Sequence, residues 1–139
     1  MRNMKRILLP VLALALAFAA CGESAKFTDD FNEAQKPLEA LMADMGSAAG
    51  SPDSAQMNKI ADGLDDTVAR MRDLEAPDDA KDEFDTFLKE VSASADTMRD
   101  VGKAVDAKDV EKMTDAVSKL QEHMTKVGSA QAALQTAIN

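Results

Sequence analysis

The chain has no tryptophan and no tyrosine, and only five phenylalanines among 139 residues. Flat side chains on which bases or sugars could stack are therefore almost absent. Basic residues are also scarce: 16 Lys and Arg stand against 25 Asp and Glu, giving a net charge of −9. Phosphate contacts need Lys and Arg, so nucleic acid is not an expected partner. An anionic bilayer surface would not attract such a domain either. There is one cysteine, Cys21, so no disulfide can form within the chain and stability must come from packing. There is one histidine, His123. A nucleophilic dyad would have to pair it with Ser or Thr, and Thr125 and Ser129 are near it only as neighbours along the same helical stretch. No enzyme is expected, and no cofactor. β-branched residues are few, whereas Ala, Asp, Met and Lys abound, which favours helix over strand.

No apolar run is long enough to cross a bilayer as a helix, which takes about 20 residues. The longest, Ile7 to Ala20, is fourteen residues without a charge, preceded by the basic cluster Arg2, Lys5 and Arg6. A basic start, a short apolar stretch and small residues at its end form the pattern of a secretory signal peptide. The stretch closes Phe18-Ala19-Ala20-Cys21. This resembles the bacterial lipobox, Leu-(Ala/Ser)-(Gly/Ala)-Cys, in its last three positions, with Phe18 where Leu is commonest. The resemblance implies thioether lipidation of Cys21, cleavage before it, and acylation of the new amino terminus by a palmitoyl-type chain. Each buried methylene contributes about 0.8 kcal/mol, and two or three chains hold where one is marginal. The resemblance also implies a cell-envelope location facing the periplasm, and Gly22 after the cysteine favours the outer membrane. Cleavage removes Arg2, Lys5 and Arg6 with no acidic residue, leaving 119 residues, 13 basic against 25 acidic, and a net charge near −12. Acyl chains, not surface charge, would then do the membrane work.

The expected organisation is a signal peptide over 1–20, the lipidated Cys21 with a short polar tether over 21–26, and a single domain over 27–139. Apolar residues recur at helical spacing in four stretches. The first, from Phe27 to about Ala49, carries Phe27, Phe31, Leu38, Leu41, Met42 and Met45 on one face, with Pro37 either kinking the helix or marking where its firm part begins. Gly50-Ser51-Pro52-Asp53 is a turn. The second stretch, to Glu75, carries Met57, Ile60, Leu64, Val68, Met71 and Leu74, and Ala76-Pro77-Asp78 ends it. The third, from about Asp78 to Val105, should be capped by Asp78 or Asp79, with Asp82 and Glu83 suiting its dipole. It buries Phe84, Phe87, Leu88, Val91, Ala95, Met98, Val101 and Val105. The connection Asp106-Ala107-Lys108-Asp109 leads into a fourth stretch whose seam reads Val110, Met113, Val117, Leu120, Met124, Val127, Leu134 and Ile138. Four amphipathic helices with short connections predict an all-α, antiparallel up-down-up-down four-helix bundle.

That topology gathers Phe27, Phe31, Phe84 and Phe87 at the end nearest Cys21, and Met42, Met45, Met57, Met98 and Met113 at the far end. Thioethers select Cu(I), and Met42 and Met45 have the i,i+3 spacing of one helix face. Methionine is equally a flexible core filler, and all five lie on apolar stripes. A metal (copper) or hydrophobic-ligand carrier is thus the alternative to a contact protein. Over about Phe31–Val127 the pattern resembles the periplasmic cytochrome b and cytochrome c-prime bundles. In those families haem is held by a Met on the first helix with a His near the end of the fourth, or by C-x-x-C-H. Here Phe31 stands at the Met position, His123 falls short of the matching height, and no C-x-x-C-H exists. The acidic run from Asp73 to Asp85 lacks the alternating ligands and glycine turn of a calcium loop, and reads as caps and a solvated face. The function expected is that of a non-enzymatic, lipid-anchored envelope protein, held to the membrane by acylated Cys21. It would act by contact with a protein partner or as a structural component.

Overall fold

A computed structural model describes residues 17–48, 51 and 53–139, with side chains from residue 22 onward. Most of the expected signal peptide, and Gly50 and Pro52 of the expected turn, fall outside the described residues. The described chain is all-helical: α1 (Ala17–Ala48), α2 (Ser54–Arg72), a 3-10 turn (Asp78–Ala80), α3 (Lys81–Asp106) and α4 (Val110–Ile138). α3 packs against both α2 and α4, and α1 against α2.

Local chemistry sets the helix ends. Asp53 is extended, and its Oδ1 accepts the Ala55 N–H at 3.0 Å, opening α2. Asp109 does the same for α4, accepting the Lys112 N–H at 3.0 Å. Between α3 and α4 the Asp109 N–H bonds the Ala104 carbonyl and the Lys108 N–H bonds that of Val105, both at 3.0 Å. Lys108 takes the left-handed conformation this requires (φ 52°), a position that usually carries glycine. The cap expected from Asp78 or Asp79 is not there. Pro77 instead starts a 3-10 turn with no side-chain cap, Ala80 precedes α3 uncapped, and Asp78 pairs with Lys81. Asp78 and Asp79 are themselves inside the 3-10 turn, so neither has the extended backbone a cap residue needs.

The tether also differs from expectation. Gly22–Lys26 is helical and continuous with α1, which also runs unbroken through Pro37. Polarity suggests a loop, but Glu, Ala and Lys are good helix formers. The Thr28 hydroxyl donates to the Ser24 carbonyl (2.7 Å) and Lys26 pairs with Asp30 (2.9 Å) across one turn.

The expected stripes of α2 and α3 are the core. Met57, Ile60, Leu64, Val68 and Met71 are buried from α2, and Phe84 through Val101 from α3, with Leu74 and Val105 half-buried. The four phenylalanines meet as expected. Phe27 lies edge-on to Phe84 at 5.2 Å, and Phe31 contacts Phe84 and Phe87 at 6.1 and 5.4 Å between ring centres. Three polar residues, Thr67, Ser94 and Thr97, are buried without cost in unmet bonds, because each hydroxyl donates to the carbonyl four residues earlier.

The seam of α4 is the main correction. The row facing the core is Met113, Ala116, Leu120, His123, Val127, Ala130 and Leu134, all buried or half-buried. Val110 and Val117 point to solvent, 68% and 39% exposed, and Met124 is only half-buried. The observed row has the same alternation of three and four as the expected one, but is rotated toward the alanines. Small residues at the closest approach let two helix backbones come together, and the residues α3 buries include Ser94, Ala95 and Ala104. On α1, Met42 is likewise 43% exposed rather than part of the buried stripe.

Candidate functional site

The distribution of charge around α4 sets one face of the molecule apart. Its six charged residues, from Glu111 to Lys126, fall within roughly 100° of the helix circumference at 3.6 residues per turn. Beyond Lys126 the helix has none. The core row occupies the next sector. What remains is an exposed face without charge, running from Val110 through Thr114, Val117, Gln121 and Gly128 to Gln135. The exposed faces of α2 and α3, by contrast, carry Lys59, Asp62, Asp66 and Arg70, and Asp82, Asp85, Lys89 and Asp96.

Where the neutral face borders α1, the Gln131 amide donates to the Gln35 side-chain carbonyl at 3.2 Å. Gly128 lies in the middle of this face, and a Cβ built there meets nothing within 4 Å. The contrast is Gly63 on α2, where a Cβ would stand 2.7 Å from a Leu41 methyl, so that glycine serves the packing of α1 on α2.

On the α3 side, His123 Nδ1 lies 2.9 Å from Glu90 Oε2, with both side chains largely covered. This places His123 in the inter-helix seam, bonded to a carboxylate. Arg99 of α3 reaches two carboxylates of α2, Asp62 at 2.8 Å and Asp65 at 2.6 Å, with Asp96 at 3.5 Å. These bonds, that to Asp62 foremost, raise the Arg99 pKa above its ordinary value. Neither pair is legible along the chain. A clue is present in Asp62 and Asp65, which share a helix face at i,i+3, but nothing in the sequence identifies their partner on another helix.

The five methionines separate by burial. Met57 and Met98 are core residues at 4% and 1% exposed, Met45 and Met113 are half-buried, and Met42 is exposed. Phe31, at the position where the cytochrome bundles place a ligand Met, is 2% exposed within the phenylalanine cluster. Among the described residues no three His, Cys, Asp or Glu side chains converge as a metal site. A surface hollow lies between the end of α3 and the start of α4 and is lined by Thr97, Ala104 and Ala116. Its rim alternates in sign, with Lys103 paired to Asp100 and Lys112 to Asp109, both at 3.1 Å. No helix among the described residues is long and apolar enough to cross a membrane. Cys21 lies in the second turn of α1, and the first buried side chain described after it is Phe27.

Compared with known protein families, with curated proteins and with solved structures, the chain matches none.

Proposed function

We propose that this chain is a lipid-anchored protein of the bacterial cell envelope, facing the periplasm, that works by protein–protein contact or as a structural component rather than by catalysis. The observation that carries the reading is the passage from Arg2, Lys5 and Arg6 through the apolar run to Ala19-Ala20-Cys21, joined without a loop to α1 of the bundle. A cysteine supplies the nucleophilic sulfur that a thioether lipid requires. Here the only cysteine of the chain stands directly after the small residues at which such a signal is cut. The acidic balance favours the same anchor, since it gives no electrostatic hold on anionic lipid. Gly22 favours the outer membrane.

The bundle attached to this anchor follows an up-down-up-down course. Support comes from three sets of contacts. Phe27 and Phe31 meet Phe84 and Phe87, so the α1 and α3 starts share an end. Ser54 bonds Asp106 at 2.9 Å, joining the start of α2 to the end of α3. Glu90 early in α3 meets His123 well along α4. In this arrangement the phenylalanines lie toward the membrane.

The test is metabolic labelling with a fatty acid, followed by fractionation. The intact chain incorporates label and sediments with membranes. Cys21→Ser incorporates none and appears as a folded, soluble bundle, because no buried side chain from Gly22 onward precedes Phe27. An unlabelled parent chain refutes the anchor; a released form that unfolds refutes the separation of anchor from core.

A further inference from the structure

We propose that Met42 is a reversible oxidation site, at which a two-electron oxidant of the peroxide class converts the thioether to a sulfoxide while the fold stays intact. Three observations lead there. First, thioethers are the oxidisable groups this chain offers in number. It has no Trp, no Tyr and one Cys, against nine Met.

Second, the fold grades those methionines. Met1 and Met4 lie outside the described residues. Of the seven described, Met42 is the exposed one, at 43%. Met45, Met113 and Met124 are half-buried, and Met57, Met71 and Met98 are core. A buried sulfur meets an oxidant only when the helices around it open, and opening a core approaches the cost of unfolding the whole. Met42 needs no opening. Its neighbour one turn on is Gly46, where a Cβ meets nothing within 4 Å. A helical side chain covers the turn that precedes it, so the absent side chain at Gly46 leaves the turn holding Met42 bare.

Third, the product suits the surface and not the core. A sulfoxide is polar and chiral. At Met57, Met71 or Met98 its oxygen would be an acceptor placed among apolar side chains. At Met42 the oxygen faces water, and the helix backbone is untouched.

The chemistry balances. The sulfur lone pair attacks one peroxide oxygen, the O–O bond breaks as the S–O bond forms, sulfur gives up two electrons, and the other oxygen leaves as water. A methionine sulfoxide reductase supplied with a dithiol reverses it: sulfur regains two electrons, the oxygen leaves as water, and the dithiol becomes a disulfide. The choice of Met42 does not rest on acylation of Cys21.

Hydrogen peroxide added to the purified full chain, with each oxygen located by tandem mass spectrometry, tests the proposal. Met42 takes up oxygen first, at least about tenfold faster than Met57, Met71 and Met98. Circular dichroism is unchanged by that first oxygen, and reductase with dithiol removes it from the folded chain. Met42→Leu, which keeps a good helix former at an exposed position, loses the fast uptake. Oxidation of the three core methionines as fast as Met42, first uptake at Met45, Met113 or Met124, or an unchanged first rate in Met42→Leu overturns the assignment. Helix loss with the first oxygen, or a sulfoxide that the reductase leaves in place, overturns the reversible site.

Discussion

Leu134 and Val117 stand on two different rows of α4, and truncating each one measures which row is the core. Leu134 is fully buried and Val117 is 39% exposed. Leu134→Ala removes three carbons from the interior, about 2.4 kcal/mol of transfer free energy at ~0.8 kcal/mol per methylene. The cavity left behind raises the total to about 3–5 kcal/mol. Val117→Ala removes two carbons from a side chain that is already wet, a loss of about 1 kcal/mol, and the better helix propensity of Ala offsets about half of it. Its net cost is therefore below about 0.5 kcal/mol. Urea unfolding followed by circular dichroism reads the difference. With a slope of about 2 kcal/mol/M, Leu134→Ala lowers the midpoint by about 2 M, whereas Val117→Ala moves it by about 0.25 M or less. A Val117→Ala loss equal to that of Leu134→Ala would place the core on the Val110–Val117–Met124 row and refute the rotation of α4 toward its alanines.

Three further outcomes follow from the local geometry. Lys108→Gly stabilises the fold by about 0.5–1 kcal/mol, because it relieves the left-handed conformation of a residue with a Cβ in the α3–α4 turn; a loss of stability in thermal melts would argue against that turn. Gly46→Ala, in the last turn of α1 with open space at its Cβ, gains about 0.5–1 kcal/mol. Gly63→Ala gains less or loses, because the new methyl meets Leu41; equal gains at the two sites would refute the close α1–α2 approach. The Asp109 carboxylate is held below the usual carboxylate range, first by the Lys112 N–H it caps and then by the Lys112 ammonium. A depressed folded pKa contributes stability above the unfolded value, near about 4, and loses it as pH falls through the lower folded value. Melting temperature between about pH 5 and pH 2 should therefore fall less steeply in Asp109→Asn than in the parent, since Asn keeps the cap without the titration; parallel curves would refute the role.

Much of the fold is legible along the chain. The apolar stripes of α2 and α3 are the buried residues, and Asp53 and Asp109 cap where the pattern starts, because a cap and its helix are set by residues within one turn. Polarity misleads at the tether, where Glu23, Ala25 and Lys26 are helix formers that α1 simply extends into. The α4 seam is ambiguous because two rows with the same spacing lie side by side, and hydrophobicity favours the one bearing Val117 and Met124. For the candidate site, the missing charge on one sector of α4 is already present in the sequence. It becomes a surface only because Ala116, His123 and Ala130 face the core.

The sequence by itself determined what short-range physics can determine: helices rather than strands, most of their ends, an acidic surface, and a lone cysteine after an apolar run. The tertiary structure decided what depends on neighbours far along the chain. It assigned Glu90 to His123 and Arg99 to Asp62 and Asp65, divided the methionines between core and rim, and chose which row of α4 is covered. Periodicity fixes that a helix has a buried face but leaves its rotation open by one row. Only packing against α3 removes that freedom.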